Sequence, residues 1–183
     1  MSKIKAMIMN KEAIDRALVR IAHEILERNN GTESLALVGI RTGGAHLARR
    51  LAENIKKIEG VDVPLGALDV TMYRDDISSR KKNLPLGKTD IAFSVKDMKI
   101  VLVDDVLYTG RTIRAAMDGL MDFGRPRQIQ LAVLLDRGHK ELPIMADYIG
   151  KNVPTARAES LKVMLSEEGG PDEVVIIDKE VGE

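Results

Sequence analysis

Apolar runs of strand length alternate with amphipathic stretches of helix length along most of this chain. The spacing of apolar residues predicts one-sided helices at residues 11–29, 43–58 and 112–123. Short apolar runs predict buried strands at residues 34–40, 64–73, 99–103 and 128–135, with shorter ones at 146–149, 161–165 and 174–177. This alternation favours an α/β fold with a mostly parallel central sheet flanked by helices.

Length and charge narrow the class of protein further. The 183 residues suffice for one domain with a core, and we predict a single domain over residues 1–183. Lys+Arg and Asp+Glu both number 28, so any RNA site has to be a local basic patch. The chain has no cysteine, which excludes disulfides and thiolate metal sites and fits a cytoplasmic protein. No apolar run of about 18 residues is present, so we expect no membrane span.

One long segment interrupts the alternation. Residues 74–97 are polar and charged, apart from two apolar islands at 84–86 and 91–93. A segment of this length and polarity is typical of a flexible loop or an extended hairpin, and such loops are often functional.

The run from residue 100 to residue 112 carries the clearest chemistry. Four apolar residues form a strand, Asp104 and Asp105 follow at its carboxyl end, and Thr-Gly-Arg-Thr at 109–112 leads into a helix. Ligands of open α/β sheets bind at this end of the strands. The amides of the turn, the threonine hydroxyls and the helix N-terminus form a phosphate cradle, which Gly110 lets a ligand approach closely.

Two acids beside a phosphate cradle suit a phosphoribosyl ligand. They can bind adjacent ribose hydroxyls and help to place Mg²⁺, as indirect ligands. Neither of the common nucleotide-binding patterns, G-x-x-x-x-G-K-[ST] or G-x-G-x-x-G, is present. The predicted binding segment comprises Val103, Asp104, Asp105, Val106, Leu107, Tyr108, Thr109, Gly110, Arg111 and Thr112.

These residues resemble the phosphoribosyl pyrophosphate (PRPP) motif of the type I phosphoribosyltransferases. Leu-Asp-Arg-Gly-His at 135–139, Glu-Leu-Pro-Ile at 141–144 and Ala-Asp-Tyr-Ile-Gly-Lys-Asn at 146–152 extend the similarity. Together they resemble the family of bifunctional pyrimidine operon regulators and uracil phosphoribosyltransferases, over nearly the whole chain. The resemblance implies the type I phosphoribosyltransferase fold, with a small hood at about residues 136–157 followed by C-terminal strands.

The resemblance implies conversion of uracil and PRPP, with Mg²⁺, to UMP and pyrophosphate. Asp104 and Asp105 are then catalytic, because carboxylates stabilise the positive charge that develops on the ribose. Arg74, at the start of the flexible loop of about residues 74–97, is the third candidate catalytic residue, and the resemblance implies that it reaches the pyrophosphate. Arg41, Thr42, Gly43 and Gly44 resemble the pyrophosphate loop, although the family commonly has Thr-Arg-Gly where this chain has Thr42-Gly43-Gly44.

The choice of base depends on two positions. Purine members of the family typically carry an aspartate where this chain has Tyr108, which argues against a purine base. Tyr108 and Arg137 are the candidate base-binding residues, with Arg137 expected to read a uracil edge.

The resemblance also implies uridine-nucleotide-dependent binding to pyrimidine-operon mRNA, promoted by UMP or UTP, and a homo-oligomer, dimer or higher. The candidate RNA-binding residues are Arg16, Arg20, His23, Lys140 and Lys151. Val19 stands where relatives often have threonine, and Met145 where they often have arginine. Each of these two departures loses a polar or charged RNA contact. Two alternatives stay open: an RNA-binding regulator of the same fold with weak or no catalysis, which Gly43 favours, and a purine phosphoribosyltransferase, which Tyr108 disfavours.

Overall fold

A computed structural model describes residues 4–75 and 88–178. Its helices are α1 (Lys11–Asn29), α2 (Gly43–Glu59) and α3 (Arg111–Met121). Its strands are β1 (Ile4–Met9), β2 (Leu35–Ile40), β3 (Leu65–Leu68), β4 (Lys99–Leu107), β5 (Gln128–Asp136), β6 (Tyr148–Asn152), β7 (Glu159–Met164) and β8 (Glu173–Asp178). No helix in these two ranges is long and apolar enough to cross a membrane.

The central sheet is parallel and covered on both faces. Its strand order is β3-β2-β4-β5-β6, with neighbouring strands parallel throughout. Successive side chains of a strand point to opposite faces, so Leu37 and Val101 pack with α1 and α2, whereas Val38 and Leu102 pack with α3. Every residue of β2 is buried, as expected for a strand between two helical layers. The predicted α/β fold with a parallel sheet is confirmed.

A second, smaller sheet joins the two ends of the described chain. It is antiparallel with the order β1-β8-β7. The segment 4–9 was not predicted as a strand, because its partner in β8 lies at the other end of the sequence. Residues 136–157, expected as a hood, are divided, because β6 within them pairs with β5 as the edge strand of the central sheet.

Three predicted strands end three or more residues from where they were expected, and one of them, predicted at 146–149, is observed as β6 at Tyr148–Asn152. The prediction of a strand at residues 64–73 is wrong beyond Leu68, since the Asp69 Oδ1 accepts a hydrogen bond from the Thr71 N–H at 2.8 Å and turns the chain into a single 3₁₀ turn at Thr71–Tyr73. The strand predicted at 99–103 continues to Leu107, which pairs with Asp136. The two acids therefore lie within β4 and not after it.

The long polar segment falls partly outside the described residues. Residues 76–87, which include the first apolar island, are among those not described. At the end of the segment, Asp90 forms a backbone bridge with Ala67, and Val95 is fully buried beside α3. This last part of the predicted loop thus packs against the central sheet and α3.

Candidate functional site

The paired acids lie in the second half of β4, where the strand changes from fully buried to half-buried residues. Asp104 is only 7 % exposed, and its Oδ1 accepts a hydrogen bond from the Asp105 N–H at 2.9 Å. Asp105 is half-buried, and its Oδ1 accepts from the Val106 N–H at 2.7 Å. Each carboxylate is thus held against the amide of the residue that follows it.

The electrostatics of this pair favour a positively charged guest. Burial, and next the negative charge of Asp105, raise the pKa of Asp104 well above its usual range. The positive charge of Arg74 acts in the opposite direction on the same carboxyl. Arg74 therefore lies near enough to the acids to act on their charge, and its predicted contact with a pyrophosphate stays a prediction.

A cavity lies at the start of α3. Gly110 precedes the helix in the left-handed region with a φ of 93° and offers no capping side chain, while the Arg111 N–H donates to Thr109 Oγ1 at 3.3 Å. First-turn amides point out of the helix N-terminus and attract anions. A cavity of about 300 Å³ is lined by Arg74, Val106, Leu107, Tyr108, Thr109, Gly110, Thr112 and Ile113. The structure thus brings Arg74 together with most of the predicted PRPP segment.

The side chain of Arg111 has acidic partners in the structure. Its Nη1 lies 2.8 Å from Asp75 Oδ2, and its Nε donates to Glu141 Oε1 at 3.1 Å. Arg114, one turn further along α3, also contacts Asp75 Oδ2 at 3.2 Å. These pairs fasten the residue after Arg74 to α3. Sequence reasoning did not assign roles to Glu141 and Arg114, because no local signal relates positions about 30 residues apart.

The predicted pyrophosphate loop lies directly against the acids. A Cβ at Gly44 would come within 2.3 Å of the Val103 carbonyl oxygen, and a Cβ at Gly43 within 2.8 Å of Asp105 Oδ2. At position 44 only glycine allows this approach of the loop to β4, because the atoms it would meet are backbone atoms. At position 43, any side chain would have to displace the Asp105 carboxylate.

The two other residues of this loop have different surroundings. The Arg41–Thr42 peptide bond is cis. The Arg41 N–H donates to the Leu68 carbonyl oxygen at 3.0 Å, and its Nε donates to the carbonyl oxygen of Lys88. The Arg41 guanidinium is thus directed toward the end of the long polar segment. Thr42 is exposed at the start of α2.

The two candidate base-binding residues contact each other. The guanidinium carbon of Arg137 lies 4.0 Å from the centroid of the Tyr108 ring. Arg137 is 5 % exposed, its Nε donates to Thr155 Oγ1 at 2.9 Å, and its Nη2 donates to the Glu159 carbonyl oxygen at 2.8 Å. Tyr108 faces the cavity, whereas Arg137 lies behind it.

Three of the candidate RNA-binding residues line one cavity, and His23 and Lys140 are not part of its lining. Arg16, Arg20 and Lys151 line a second cavity of about 310 Å³ between α1 and β6. His23 is exposed on α1. Lys140 lies elsewhere, with its Nζ 3.2 Å from Asp136 Oδ2.

Arg20 and Lys151 also bond to the backbone of the fold. The Arg20 Nη2 donates to the carbonyl oxygens of Ile149 and Gly150, both in β6, at 3.2 and 2.6 Å. The Lys151 Nζ lies 3.5 Å from the Ile8 carbonyl oxygen. Val19 and Met145, the two departures from the family pattern, are both exposed.

No group of three or more histidine, cysteine, aspartate or glutamate side chains that could hold a metal ion occurs within residues 4–75 and 88–178. The donor set at the site is the pair Asp104 and Asp105. Two carboxylates fit a hard cation such as Mg²⁺ when a substrate supplies further oxygens, since Mg²⁺ is usually bound by one or two carboxylates plus phosphates and water.

The sheet and the site together define a phosphoribosyltransferase, and the family model described as the phosphoribosyl transferase domain matches residues 6–161. Proteins named "Bifunctional protein PyrR" are similar over nearly the whole length. The one from Geobacter sp. (strain M21) is 59 % identical over 93 % of this chain and 96 % of its own. The one from Deinococcus radiodurans is 55 % identical over 98 % of both. The chain belongs to this PyrR family of phosphoribosyltransferases.

Solved structures of more distant proteins share the fold. A hypoxanthine phosphoribosyl transferase from Trypanosoma cruzi superposes with a TM-score of 0.73 at 19 % identity, over 95 % of this chain and 91 % of that one. A hypoxanthine phosphoribosyltransferase from Staphylococcus aureus gives 0.70 at 20 % identity, over 98 % and 96 %. At this identity the likeness concerns the fold alone, and it confirms the type I phosphoribosyltransferase fold predicted from the sequence.

Proposed function

We propose that this protein transfers the phosphoribosyl group of PRPP to uracil, giving UMP and pyrophosphate. The observation that carries the proposal is the acid pair on β4, with Asp104 buried and Asp105 half-buried, in the stretch of chain that runs into α3 and against a glycine loop. A 5′-phosphate fits the α3 amides, the ribose hydroxyls fit the acids, and the pyrophosphate fits the loop at residues 41–44.

Each group has a physical role in breaking the bond between ribose C1 and pyrophosphate. Positive charge develops on the ribose as the bond lengthens, and the carboxylates of Asp104 and Asp105 stabilise it. Arg74, which lines the cavity, neutralises charge that accumulates on the departing pyrophosphate. Tyr108 forms a wall on which the pyrimidine ring rests. Uracil N1 bonds to C1 as the bond from C1 to the pyrophosphate oxygen breaks, and the N1 proton passes to the pyrophosphate or to water.

Mg²⁺ bound with PRPP would be held mainly by substrate oxygens, and Asp104 and Asp105 would help to place it indirectly. When bound, it would withdraw charge from the leaving pyrophosphate. Each acid gives its Oδ1 to a neighbouring amide, which leaves its Oδ2 for the ribose hydroxyls or for water.

We further propose a regulatory role, in which uridine nucleotides promote binding to pyrimidine-operon mRNA in the cytoplasm. The family relation to proteins named "Bifunctional protein PyrR" supports a second activity. The cluster of Arg16, Arg20 and Lys151 offers a local cationic recess on an otherwise neutral chain. A homo-oligomer, dimer or higher, would bring two such recesses together.

Gly43 supports one alternative, an RNA-binding regulator of this fold with weak catalysis. A glycine cannot supply the guanidinium that relatives commonly place beside the pyrophosphate, and an arginine fork binds two phosphate oxygens at once. Tyr108 disfavours the purine alternative, because it offers no carboxylate near the base.

The proposal is tested by incubating the protein with PRPP, Mg²⁺ and radiolabelled uracil, hypoxanthine or guanine in parallel. We expect UMP as the main product. Turnover of a purine but not of uracil would overturn the assignment of the base. No turnover of any base, together with UMP-dependent retention of a pyrimidine-operon leader on filters and no retention of a scrambled RNA, would favour the weakly catalytic regulator.

A further inference from the structure

Tyr108 is flanked by two side chains from the segment that follows β5. Arg137 lies over its ring, with the guanidinium carbon 4.0 Å from the ring centroid. His139 meets it edge-on, with ring centroids 6.1 Å apart and planes at 78°. A guanidinium over a tyrosine face is attracted by the ring quadrupole, and the attraction grows when both groups are removed from water.

The plane of the Arg137 guanidinium is fixed by hydrogen bonds to Thr155 and to the start of the small sheet. Its Nε donates to Thr155 Oγ1 and its Nη2 donates to the carbonyl oxygen of Glu159, at the first residue of β7. The Arg137 N–H also donates to the Leu107 carbonyl oxygen at 3.1 Å, which ties the residue to β4 beside Tyr108. In-plane hydrogen bonds leave the face of a guanidinium for stacking.

The acceptors of Arg137 are themselves held in place. The Glu159 carboxylate accepts from the Ala156 N–H at 2.8 Å and pairs with Lys5 of β1. The Thr155 carbonyl oxygen bonds His139 Nε2, so one short segment holds both residues that flank Tyr108. A continuous path of contacts thus runs from β1 and β7 of the small sheet to the wall of the cavity.

We propose that Arg137 is a positioning residue, which lets the small sheet set the orientation of the Tyr108 ring against the uracil. This inference rests on the proposed function, and it replaces the direct reading of a uracil edge by Arg137. The side chain is 5 % exposed, and two of its donor groups already serve the protein backbone and Thr155. Tyr108, which lines the cavity, is the residue that contacts the base directly.

Replacing Arg137 should therefore weaken the binding of uracil but not the binding of PRPP. Loss of the stacking lets the Tyr108 ring move, and the uracil contact weakens. The α3 amides, the acids and the glycine loop stay in place, so PRPP binding is preserved. Lysine cannot substitute, because its ammonium lacks the planar fork that satisfies both acceptors while stacking.

The test compares Arg137→Lys and Arg137→Met with Thr155→Val and Thr155→Ser in steady-state kinetics. We expect the Arg137 variants to raise the KM for uracil about tenfold, with the KM for PRPP within about twofold of wild type. Thr155→Val should give a smaller rise of about threefold, consistent with the loss of one hydrogen bond. Thr155→Ser, which keeps the hydroxyl, should restore the wild-type value.

Arg50→Met is the matched control. Arg50 also links the central domain to the C-terminal region, through bonds to Glu167 at 2.8 and 2.6 Å and to Asp172 at 2.7 Å, but it does not contact Tyr108. Its loss should lower the melting temperature without changing either KM. An equal rise of the KM for uracil in Arg50→Met would reduce Arg137 to a general structural role and overturn the proposal.

A second readout does not depend on turnover. The chain has three tyrosines, so ring signals in a ¹³C-tyrosine NMR spectrum can be assigned by subtraction with Tyr108→Phe. The Tyr108 signal should shift in Arg137→Lys and not in Arg50→Met. An unchanged Tyr108 signal would overturn the positioning role. A wild-type protein that turns over no uracil while the signal still shifts would instead count against the proposed function.

Discussion

The carboxyl edge of the central sheet and the basic face of α1 use their charged residues differently. At the sheet edge, Arg74 and the turn into α3 line one cavity, and the acids lie on the neighbouring stretch of β4, where glycines let the loop at 41–44 pack against them. On α1, Arg20 binds the carbonyl oxygens of the edge strand β6. The first region is the one that we propose for the ligand, whereas the second uses part of its charge to hold the fold.

The difference follows from how each set of residues is encoded. The sheet-edge residues come mainly from one continuous run, so their proximity follows from local geometry. The α1 set combines a helix with Lys140 and Lys151 from distant segments, and the structure places only Lys151 beside the helix. A basic residue near α1 therefore has to be tested for stability as well as for RNA affinity.

The largest expected effect comes from filling the tightest contact at the sheet edge. In Gly44→Ala the new Cβ would meet the Val103 carbonyl oxygen at 2.3 Å, and backbone has to move. We expect a loss of about 3 kcal/mol in the free energy of unfolding, measured by urea denaturation, together with loss of turnover. Gly170→Ala is the control, since its Cβ would meet nothing closer than 3.6 Å. Equal stability of both variants would contradict the packing described for the loop.

The next effect concerns the acids. Asp104→Asn or Asp105→Asn should each lower kcat for uracil phosphoribosylation by at least about tenfold, because the amide no longer stabilises positive charge on the ribose. Asp118→Asn, an exposed acid on α3, serves as the control and should keep wild-type kinetics. Unchanged kcat in both site variants would refute their assigned role.

A smaller effect is expected on α1, where Arg16 is assigned to RNA binding alone and Arg20 also bonds the backbone of β6. Arg16→Ala should weaken RNA binding severalfold and lower the slope of log K against log salt by about 1, without changing stability. Arg20→Ala should weaken RNA binding and also lower the free energy of unfolding by up to about 1 kcal/mol, since its bonds to β6 are partly exposed. Filter binding at several salt concentrations and urea denaturation measure the two quantities.

Lys162→Ala on β7 is the matched loss of an exposed cation outside the predicted RNA set. It should alter neither measurement. If it weakens RNA binding as much as Arg16→Ala, then affinity follows overall charge, and the recess between α1 and β6 is not the RNA site.

The smallest expected effect is the pH dependence of stability at Asp104. Its raised pKa means that the folded state binds the proton more tightly than the unfolded state. Stability therefore falls as the pH rises from about 4, the usual value for aspartate, through the folded pKa. Asp104→Asn should be more stable than wild type at pH 7, and the gap should narrow on acidification. A gap in melting temperature that stays constant with pH would contradict the buried-charge account.

Much of the fold could be predicted from the sequence, because apolar periodicity reports which residues face a core. The helices α1, α2 and α3 and the strands β2 and β5 lie close to their predicted ranges. Periodicity carries no information on distant partners, so β1 was missed. It also does not show local side-chain turns, and the carboxylate of Asp69 ends β3 before the predicted residue.

The site was predictable to the extent that it is continuous in sequence. The acids and the turn at 109–112 share one motif, and their approximate placement follows from a strand that leads into a helix. The partners of Arg111 and Arg137 could not be inferred, because Asp75 and Thr155 are brought to them only by tertiary packing. Which cations hold the fold and which stay available for a ligand was equally hidden.

The most direct measurement is a calorimetric titration of PRPP, in the presence of Mg²⁺, into the wild-type protein and into the double variant Asp104→Asn/Asp105→Asn. The acid pair beside the α3 cradle predicts one site per chain in the wild type and at least about tenfold weaker binding in the double variant. Asp118→Asn should bind as wild type does. Absence of PRPP binding to the wild-type protein, or equal affinity in the double variant, would contradict the assignment of this sheet edge as a phosphoribosyl site.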